Sequence, residues 1–281
     1  MNITLEGKRV FVSAGGAGMG RSTCLAFHQA GAEVFTCDIN QEALTSLPQG
    51  IETFTCDVGD AEEVKKMMDE ILPDGLDVLV NNAGIAGPTA PIENISLEEW
   101  NHTINVCLNS QFYFNRLVVP LFKKQRHGVL INLISGAGIL GFPNRSPYAA
   151  AKWAVTGLTK TLAMELGPQN IRVNGIVPGN VNGERMDRVV QAHAEADKIS
   201  PEVVRKLYAI GTSMQCFIEP EEIANMILFL SSDHGRHISG QIIGLDGHTE
   251  TLYPRMLSEQ RMVLWVRLGF PEFLPTRFNC L

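Results

Sequence analysis

The sequence is poor in charge and has no run of basic residues. Only 19% of its 281 residues are charged, and the formal net charge is −7 at pH 7. Because binding to the phosphates of DNA or RNA requires a basic surface, this balance argues against a nucleic-acid partner. A hydrophobic fraction of 45% is enough for one large folded core, so the composition favours a globular protein that acts on a small molecule.

Metal-binding, membrane-spanning and export signals are also missing. The six cysteines include no Cys-x-x-Cys pair and have no histidine at metal-ligand spacing. No apolar run approaches the ~20 residues that a membrane-spanning helix needs. The first residues lack the long apolar segment of a signal peptide. These absences predict a cytoplasmic protein that binds neither a metal nor a membrane.

Short apolar segments alternate with longer segments of helical period. This alternation requires crossover helices, and it predicts one α/β domain of Rossmann type, a doubly wound parallel sheet of about seven strands with helices on both faces. The predicted strands cover residues 9–13, 34–38, 53–57, 78–81, 129–134, 172–177 and 242–245. The predicted helices cover residues 21–30, 62–71, 97–124, 148–166 and 221–230.

The domain organisation follows from the same reading. No linker divides the chain, so residues 1–248 are expected to form one catalytic domain and residues 249–281 a C-terminal extension. Within the domain, residues 183–215 are too long for an ordinary connection, and we interpret them as an irregular, mobile lid. The extension is rich in apolar residues that must be buried somewhere. It is expected to pack on its own domain, to cross to a partner subunit or to cover the mouth of the active site.

A glycine-rich turn joins the first predicted strand to the first predicted helix. It reads SAGGAGMG from Ser13 to Gly20. Glycine lets a pyrophosphate approach the backbone, and the start of a helix offers free N–H groups and a partial positive charge. Asp38 ends the second strand, 18 residues after Gly20, where its carboxylate would accept hydrogen bonds from the ribose hydroxyls and repel a 2′-phosphate. The next residue, Ile39, is not basic, so NAD is the predicted cofactor.

Tyr148 and Lys152 lie one helical turn apart at the start of a predicted helix. A neighbouring ammonium stabilises a phenolate, so the pair is suited to moving a proton near neutral pH. The spacing alone is a weak signal, because an exposed Tyr and a solvated Lys on any helix give the same pattern. Other motifs must therefore decide whether the pair is functional.

Those motifs occur in the order and at the spacing of the short-chain dehydrogenase/reductase family, which the chain resembles across roughly its first 250 positions. The match covers both the cofactor-binding and the catalytic segments, which leaves little room for coincidence. The residues that carry the resemblance are Asp57-Val58, Asn81-Asn82-Ala83-Gly84, Asn105, Ser135, Tyr148, Lys152, Arg172-Val173-Asn174 and Pro178-Gly179.

The resemblance implies a hydride transfer between nicotinamide and a secondary alcohol or ketone. In such an enzyme Tyr148 is the general acid/base, Ser135 orients the substrate oxygen and Lys152 binds the nicotinamide ribose. Asn105 would anchor a proton relay through a water molecule. A homo-oligomer, a dimer or a homotetramer, is also implied. The implied cofactor-binding residues are Ser13, Gly15, Gly18, Met19, Gly20, Asp38, Ile39, Asp57, Val58, Asn82, Ala83, Gly84, Tyr148, Lys152, Pro178, Gly179 and Val181.

Two other functions remain as alternatives on the same fold. A non-redox dehalogenase or lyase would be expected to lose the glycines of the turn or the active-site Lys. A dinucleotide-sensing binding protein would be expected to lose Tyr148 or Ser135, and this chain keeps all of them. Three positions depart from the family pattern. Ser13-Ala14 stands where the family usually has Thr-Gly, and Asp246-Gly247-His248 replaces the usual Asp-Gly-Gly. Gly183 stands where a Thr commonly holds the nicotinamide carboxamide. That contact would fall to Asn180, Asn182 or the backbone.

Overall fold

The predicted parallel sheet is confirmed. A computed structural model describes residues 3–250 and Leu252. Its strands form one sheet in the order β3-β2-β1-β4-β5-β6-β7, and every neighbouring pair is parallel. The strand order reverses between β1 and β4, which is the switch point where such sheets bind ligands. The strands are β1 (Arg9–Ser13), β2 (Glu33–Asp38), β3 (Ile51–Thr55), β4 (Val78–Asn81), β5 (Gly128–Leu133), β6 (Ile171–Pro178) and β7 (Ile242–Leu245).

Helices connect the strands and cover both faces of the sheet. The segment predicted as one helix, residues 97–124, contains a π-helical turn at Asn105–Asn109 between two α-helices. π-Turns of this kind often occur at functional sites. The α-helices of the described residues are α1 (Gly18–Gln29), α2 (Gln41–Thr45), α3 (Ala61–Ile71), α4 (Leu97–Ile104), α5 (Ser110–Gln125), α6 (Ser146–Leu166), α7 (Glu184–Asp197), α8 (Pro201–Ile210) and α9 (Pro220–Ser231).

The core lies in two apolar layers, one on each face of the sheet. Successive side chains of a strand point to opposite faces, and β1 shows this directly. Val10 and Val12 pack in the layer that contains Phe27 of α1 and Ile227 of α9, whereas Phe11 packs in the layer that contains α3 and α5. The three β1 side chains are fully buried. Because both faces are covered, a continuous apolar run was the correct signal for a strand here.

The prediction that residues 183–215 are irregular is wrong. They form α7 and α8, which pack on each other through Val190, Ala194 and Val204. Ser200 caps α8 by accepting a hydrogen bond from its first turn, a role for which Ser is well suited. Most of the other residues in these helices are polar, so the apolar stripe was too thin to be recognised in the sequence.

The remaining differences are small. The short helix α2 was not predicted, and Asn40 begins it by accepting a hydrogen bond from the N–H of Ala43 at 3.1 Å. The bounds of β3 lie two residues earlier than predicted. Of the proposed C-terminal extension, only Thr249, Glu250 and Leu252 are described, so the prediction for the other residues of 249–281 lies outside the described part of the chain.

Two predicted absences can be compared with the described part of the chain. None of its helices is both long and apolar enough to cross a membrane. The same residues contain no cluster of His, Cys, Asp and Glu side chains that could hold a metal ion.

Candidate active site

The start of α1 has the properties of an anion-binding site. No side chain caps this helix, and its first turn contains no acidic residue. Gly18 has a φ of +53°, and a Cβ added to it would meet no atom within 4 Å. The turn therefore presents bare backbone and the positive end of a helix, which fits the pyrophosphate of a dinucleotide.

Asn82 joins the loop after β4 to the glycine-rich turn. Its Nδ2 donates to the carbonyls of Ser13 and Ala14 at 2.9 and 3.0 Å. In return, Ser13 Oγ accepts hydrogen bonds from the N–H groups of Asn82 and Ala83, both at 3.0 Å. The structure thus brings together two motifs that lie almost 70 residues apart in the sequence.

Gly20 is the position where α1 approaches this loop most closely. A Cβ at Gly20 would lie 2.1 Å from the carbonyl oxygen of Ala14 and 2.6 Å from Asn82 Nδ2. Both distances are far below van der Waals contact, and the first atom belongs to the backbone. Only glycine lets the helix and the loop keep this arrangement.

Replacing Gly20 by Ala is expected to lower the free energy of unfolding by about 2–3 kcal/mol, because the new methyl group must displace backbone atoms. Gly18→Ala is the matched control, since its methyl would enter open space and costs only the positive φ, about 1 kcal/mol. Urea unfolding of both variants measures the difference. Equal stabilities would contradict the packing role of Gly20.

Asp38 ends β2 directly beside the glycine-rich turn. Its Oδ2 accepts a hydrogen bond from the N–H of Gly16 at 3.1 Å, and its Oδ1 accepts one from Asn40 at 3.0 Å. Ile39 is 73% exposed next to it. The structure therefore places the predicted ribose-binding carboxylate at the edge of the predicted pyrophosphate site.

Asp57 and Val58, the pair that the family resemblance assigns to the adenine ring, lie in the turn after β3. Asp57 Oδ1 accepts a hydrogen bond from the N–H of Gly59 at 2.8 Å, and Val58 is buried. The backbone of β3 pairs with β2 through Asp38 and Thr55. The turn therefore follows the strand next to Asp38, on the side of the site expected for adenine.

Tyr148 and Lys152 are buried together in the first turns of α6. Their exposed fractions are 8% and 3%, and Lys152 Nζ lies 5.9 Å from the centre of the Tyr148 ring. Nζ donates to the carbonyl of Leu133 at the end of β5, at 2.7 Å. A Cβ added to Gly84 would lie 3.5 Å from the same Nζ. The structure thus brings the predicted acid/base pair to the loop after β4, at the carboxyl edge of the sheet.

Ser135 follows β5 at the same edge. Its Oγ accepts a hydrogen bond from the N–H of Ala137 at 3.2 Å, and Ala137 packs in one buried cluster with Tyr148. A hydroxyl oxygen that accepts from the backbone still has its proton to donate. Ser135 is therefore placed where it could orient an oxygen near Tyr148.

Asn105 does not join this group. Its Nδ2 donates to the carbonyl of Gly59 at 2.6 Å, and its Oδ1 accepts from the hydroxyl of Tyr113 at 3.1 Å. The residue that turns toward Lys152 is Cys107, two positions further along the π-turn. Two positions on a helix correspond to roughly half a turn, so the two side chains leave on opposite sides. The position assigned to Asn105 from the sequence is therefore not supported.

Cys107 was missed because an amide was expected at this place in the helix. Its Sγ lies 3.4 Å from both the backbone N and the backbone O of Ile85. It is fully buried, and a Cβ on Gly84 would lie 3.8 Å from its sulfur. The thiol thus links the π-turn to the loop after β4 by hydrogen bonds. Cys107 lies on the side of the π-turn that faces Lys152.

Cys107→Ala is expected to raise the KM for the dinucleotide roughly 5-fold, with a smaller effect on kcat, because the loop that follows β4 loses both of its contacts with the thiol. Cys107→Ser keeps a donor and an acceptor and should restore most of the affinity. Steady-state kinetics of the two variants separates the effects. A loss confined to kcat, or no rescue by Ser, would contradict a positioning role.

The other buried thiols are unsuited to catalysis. Burial raises the pKa of Cys24 to about 12. A hydrogen bond with Cys56, together with burial, raises the pKa of Cys37 well above its usual value. Reactive cysteines need the thiolate, so these side chains act as small core residues.

The segment after β6 lacks the family's Thr, and the two nearby amides are engaged elsewhere. Asn180 Nδ2 donates to the carbonyl of Tyr208 at 3.2 Å, and Asn182 Nδ2 donates to Glu219 Oε1 at 2.5 Å. The Oδ1 of Asn182 accepts from Arg205. Both amide nitrogens already donate to other groups, which favours the backbone for that contact.

Pro178, Gly179 and Val181 lie where β6 leaves the sheet. A Cβ on Gly179 would come within 2.5 Å of the Asp246 Cα, so the chain passes β7 at close range there. Val181 forms an isolated parallel bridge with Ile218. The end of β6 is thereby held at the same edge of the sheet as the glycine-rich turn.

A glycine-rich turn at the switch point of a parallel sheet and a buried Tyr–Lys pair at the same edge define an oxidoreductase of Rossmann type. A family model described as enoyl-(acyl carrier protein) reductase matches residues 14–248. The chain belongs to the short-chain dehydrogenase/reductase family, as its motifs indicated.

Several characterised proteins are similar over most of the chain. The 3-oxoacyl-[acyl-carrier-protein] reductase FabG of Thermotoga maritima is 36% identical over 252 residues, which are 86% of this chain and 98% of the relative. The trans-4-hydroxycyclohexanecarboxylate dehydrogenase of Sinomonas cyclohexanicum is 40% identical over 172 residues, 61% of this chain and 60% of the relative. The crystal structure of NAD+-bound xylitol dehydrogenase superimposes with a TM-score of 0.80 at 28% identity, covering 86% of this chain and 98% of that one.

Proposed function

We propose that this protein is an NAD-dependent oxidoreductase that interconverts a secondary alcohol and a ketone, with Tyr148 as the general acid/base. The observation that carries the proposal is the burial of Tyr148 beside Lys152, whose ammonium is fixed by the Leu133 carbonyl at 2.7 Å. An ammonium held in a buried site stabilises a phenolate beside it. Such a pair is suited to exchanging a proton with a substrate hydroxyl.

In the oxidation direction, the hydroxyl proton of the alcohol passes to the phenolate of Tyr148. Ser135 donates a hydrogen bond that orients the substrate oxygen, and the charge of Lys152 stabilises the phenolate before the transfer. The C–H bond breaks with both of its electrons while the C=O bond forms. Bound NAD+ supplies the acceptor for that hydride. Reduction follows the same steps in reverse, with Tyr148 donating the proton.

The preference for NAD over NADP is argued from Asp38. Its carboxylate lies beside the N–H of Gly16, at the edge of the predicted pyrophosphate site. A negative charge there favours two free ribose hydroxyls and repels a 2′-phosphate. The name of NAD+-bound xylitol dehydrogenase is consistent with this choice.

The substrate class is argued from the chemistry of the pair and from the names of two relatives. Xylitol and trans-4-hydroxycyclohexanecarboxylate both carry secondary hydroxyl groups. FabG is named for a 3-oxoacyl substrate, in which the reacting carbon is a ketone. Each of these reactions would need one proton carrier next to the oxygen, the position we propose for Tyr148.

A panel of secondary alcohols with NAD and of ketones with NADH, followed by the absorbance of NADH, tests the function. We expect turnover of at least one pair, with NADP a poorer cofactor than NAD. The same panel with NADP and NADPH provides the comparison. Turnover with NADP alone would overturn the cofactor assignment, and absence of any turnover across a broad panel would overturn the function.

We also propose that α7 and α8 act as a lid over the substrate. Arg185 of α7 and Tyr208 of α8 are close enough to affect the pKa of Arg145, which lies three residues before Tyr148. Both helices follow Gly183, whose φ is +134°. Helices that approach the reacting group from one side are suited to closing it off from water.

The remaining features of the proposal are a homo-oligomer and a cytoplasmic location. Four large apolar side chains on α4, α5 and α6 are at least half exposed, as expected for a surface that pairs with another copy. The cysteines of the described residues are free thiols, as expected in a reducing compartment. Light scattering would test the assembly. The exposed side chains are Leu97, Phe112, Trp153 and Met164.

A further inference from the structure

We propose that the substrate is a hydroxy or oxo carboxylic acid whose carboxylate is bound by Arg145. This inference rests on the proposed function, since it takes Tyr148 as the group that meets the reacting oxygen. It adds the charge of the substrate, which neither the reaction nor the fold determines.

Arg145 is fixed beside Tyr148. It immediately precedes α6, and its Cζ lies 5.3 Å from the centre of the Tyr148 ring and 5.1 Å from that of Phe142. Its Nη2 donates to the carbonyl of Ala86 at 2.6 Å, in the loop that follows β4. The guanidinium is thereby held next to the proposed acid/base Tyr148, between the start of α6 and the loop that follows β4.

Among the described residues, no carboxylate forms an ion pair with Arg145. Burial lowers the pKa of its guanidinium, and the ionisable groups with the largest effects on that pKa are Tyr148, Arg185, Tyr208 and Cys107. None of these is a carboxylate, and one is a second cation. Arg145 is partly buried, and a partly buried cation without an anionic partner is unfavourable, so the surroundings favour the arrival of an anion.

One donor of Arg145 is also unused. Its Nε is buried and has no hydrogen-bond partner among the described residues. A buried N–H without a partner costs stability that a ligand can recover. The Nε–H group and a neighbouring Nη–H group can together donate two parallel hydrogen bonds to the two oxygens of a carboxylate.

The other walls near Tyr148 are apolar. Phe142 and Leu252 pack against the buried cluster that contains Tyr148 and Ala137. Leu252 also lies close to Gly136, the residue after Ser135, since a Cβ added to Gly136 would lie 3.4 Å from Leu252 Cδ1. The site therefore combines an apolar body, a guanidinium that has no carboxylate partner among the described residues, and one proton carrier. A molecule with a hydrocarbon frame, one hydroxyl and one carboxylate matches all three.

Arg145 has a competing structural role, because its stacking on Phe142 and its bond to Ala86 also stabilise the loop. The two roles differ in one measurable way. A structural role affects all substrates alike, whereas carboxylate binding affects only the charged ones and acts mainly through KM.

The test pairs cyclic and short-chain hydroxy acids with their own primary amides, using the full chain and NAD. For the wild-type protein we expect kcat/KM to favour the acids by roughly 100-fold, as a charge-assisted bidentate contact would give. Equal rates on acids and amides would overturn the inference without any variant. Higher activity on phosphate esters of the same alcohols would overturn the choice of a carboxylate.

Arg145→Gln should abolish the preference for acids while leaving turnover of the amides within about threefold. Arg145→Lys keeps the charge and should restore part of the preference. Lys124→Gln, which removes an exposed cation at the end of α5, is the control and should change nothing. An equal loss on acids and amides would assign Arg145 a structural role and overturn the inference.

Binding gives a second readout that does not depend on turnover. Simple carboxylates that lack the hydroxyl should raise the Tm of the wild-type protein in the presence of NADH and should fail to do so with Arg145→Gln. If neutral alcohols are oxidised while acids neither react nor bind, only this inference fails. If no alcohol of either kind reacts with either dinucleotide, the proposed function fails as well.

Discussion

Tyr148→Phe is expected to lower kcat by about a thousandfold, because it removes the group that carries the proton. The ring remains, so the packing against Arg145 and Phe142 is kept. The Kd for NADH should stay within about twofold of the wild-type value, since the hydroxyl is proposed to act on the substrate. Steady-state kinetics and a fluorescence titration with NADH measure the two quantities.

Tyr113→Phe is the matched control for this variant. It also removes one phenolic hydroxyl, but that hydroxyl donates to Asn105 Oδ1 at 3.1 Å and not to the proposed active site. Its kcat should remain close to the wild-type value. Substantial activity of Tyr148→Phe, or a comparable loss in Tyr113→Phe, would show that a different group carries the proton.

Asp38→Asn is expected to lower the preference for NAD over NADP by about 100-fold, because the charge that repels a 2′-phosphate and binds the ribose hydroxyls is lost. Asn is the sharper replacement here, since its amide oxygen can still accept one of the two backbone hydrogen bonds from Gly16 and Asn40. The ratio of kcat/KM values for the two cofactors measures the effect.

Asp69→Asn controls for the loss of a surface carboxylate. Asp69 pairs with Lys65 on the exposed side of α3, and its replacement should leave the cofactor ratio unchanged. An unchanged ratio in Asp38→Asn as well would mean that the adenosine ribose binds elsewhere. If activity fell strongly with both cofactors while the ratio of their kcat/KM values stayed the same, the role of Asp38 would be to stabilise the glycine-rich turn instead.

The fold could be predicted from the sequence because its signals are local and consistent. The central strands are buried on both faces, so Val10, Phe11 and Val12 of β1 stand in one unbroken apolar run. The glycine-rich turn lies directly between a strand and a helix, which fixes its place at the edge of the sheet. The helices α7 and α8 were missed because charged and polar side chains interrupt the apolar positions along both of them.

The candidate site was only partly predictable, because its details depend on contacts between distant segments. The π-turn after α4 changes which side chains face Lys152, and the sequence gives no sign of that change; hence Asn105 was chosen and Cys107 was missed. The role proposed for Arg145 depends on its bond to Ala86, 59 residues away, and on the absence of an ion pair between Arg145 and any carboxylate of the described residues. Neither of these two features can be predicted from the spacing of residues in the sequence.

A crystal structure with NADH bound would test the central claim most directly. The quantity to measure is the distance between Tyr148 Oη and C4 of the nicotinamide ring. The account predicts that the two atoms face each other with room for one carbonyl group of the substrate between them. If the carbonyl carbon lies about 3–3.5 Å from C4 and the carbonyl oxygen about 3 Å from Oη, the distance between Oη and C4 is roughly 4–6 Å. A nicotinamide ring bound away from Tyr148 and Lys152, with no room for a substrate between them, would contradict it.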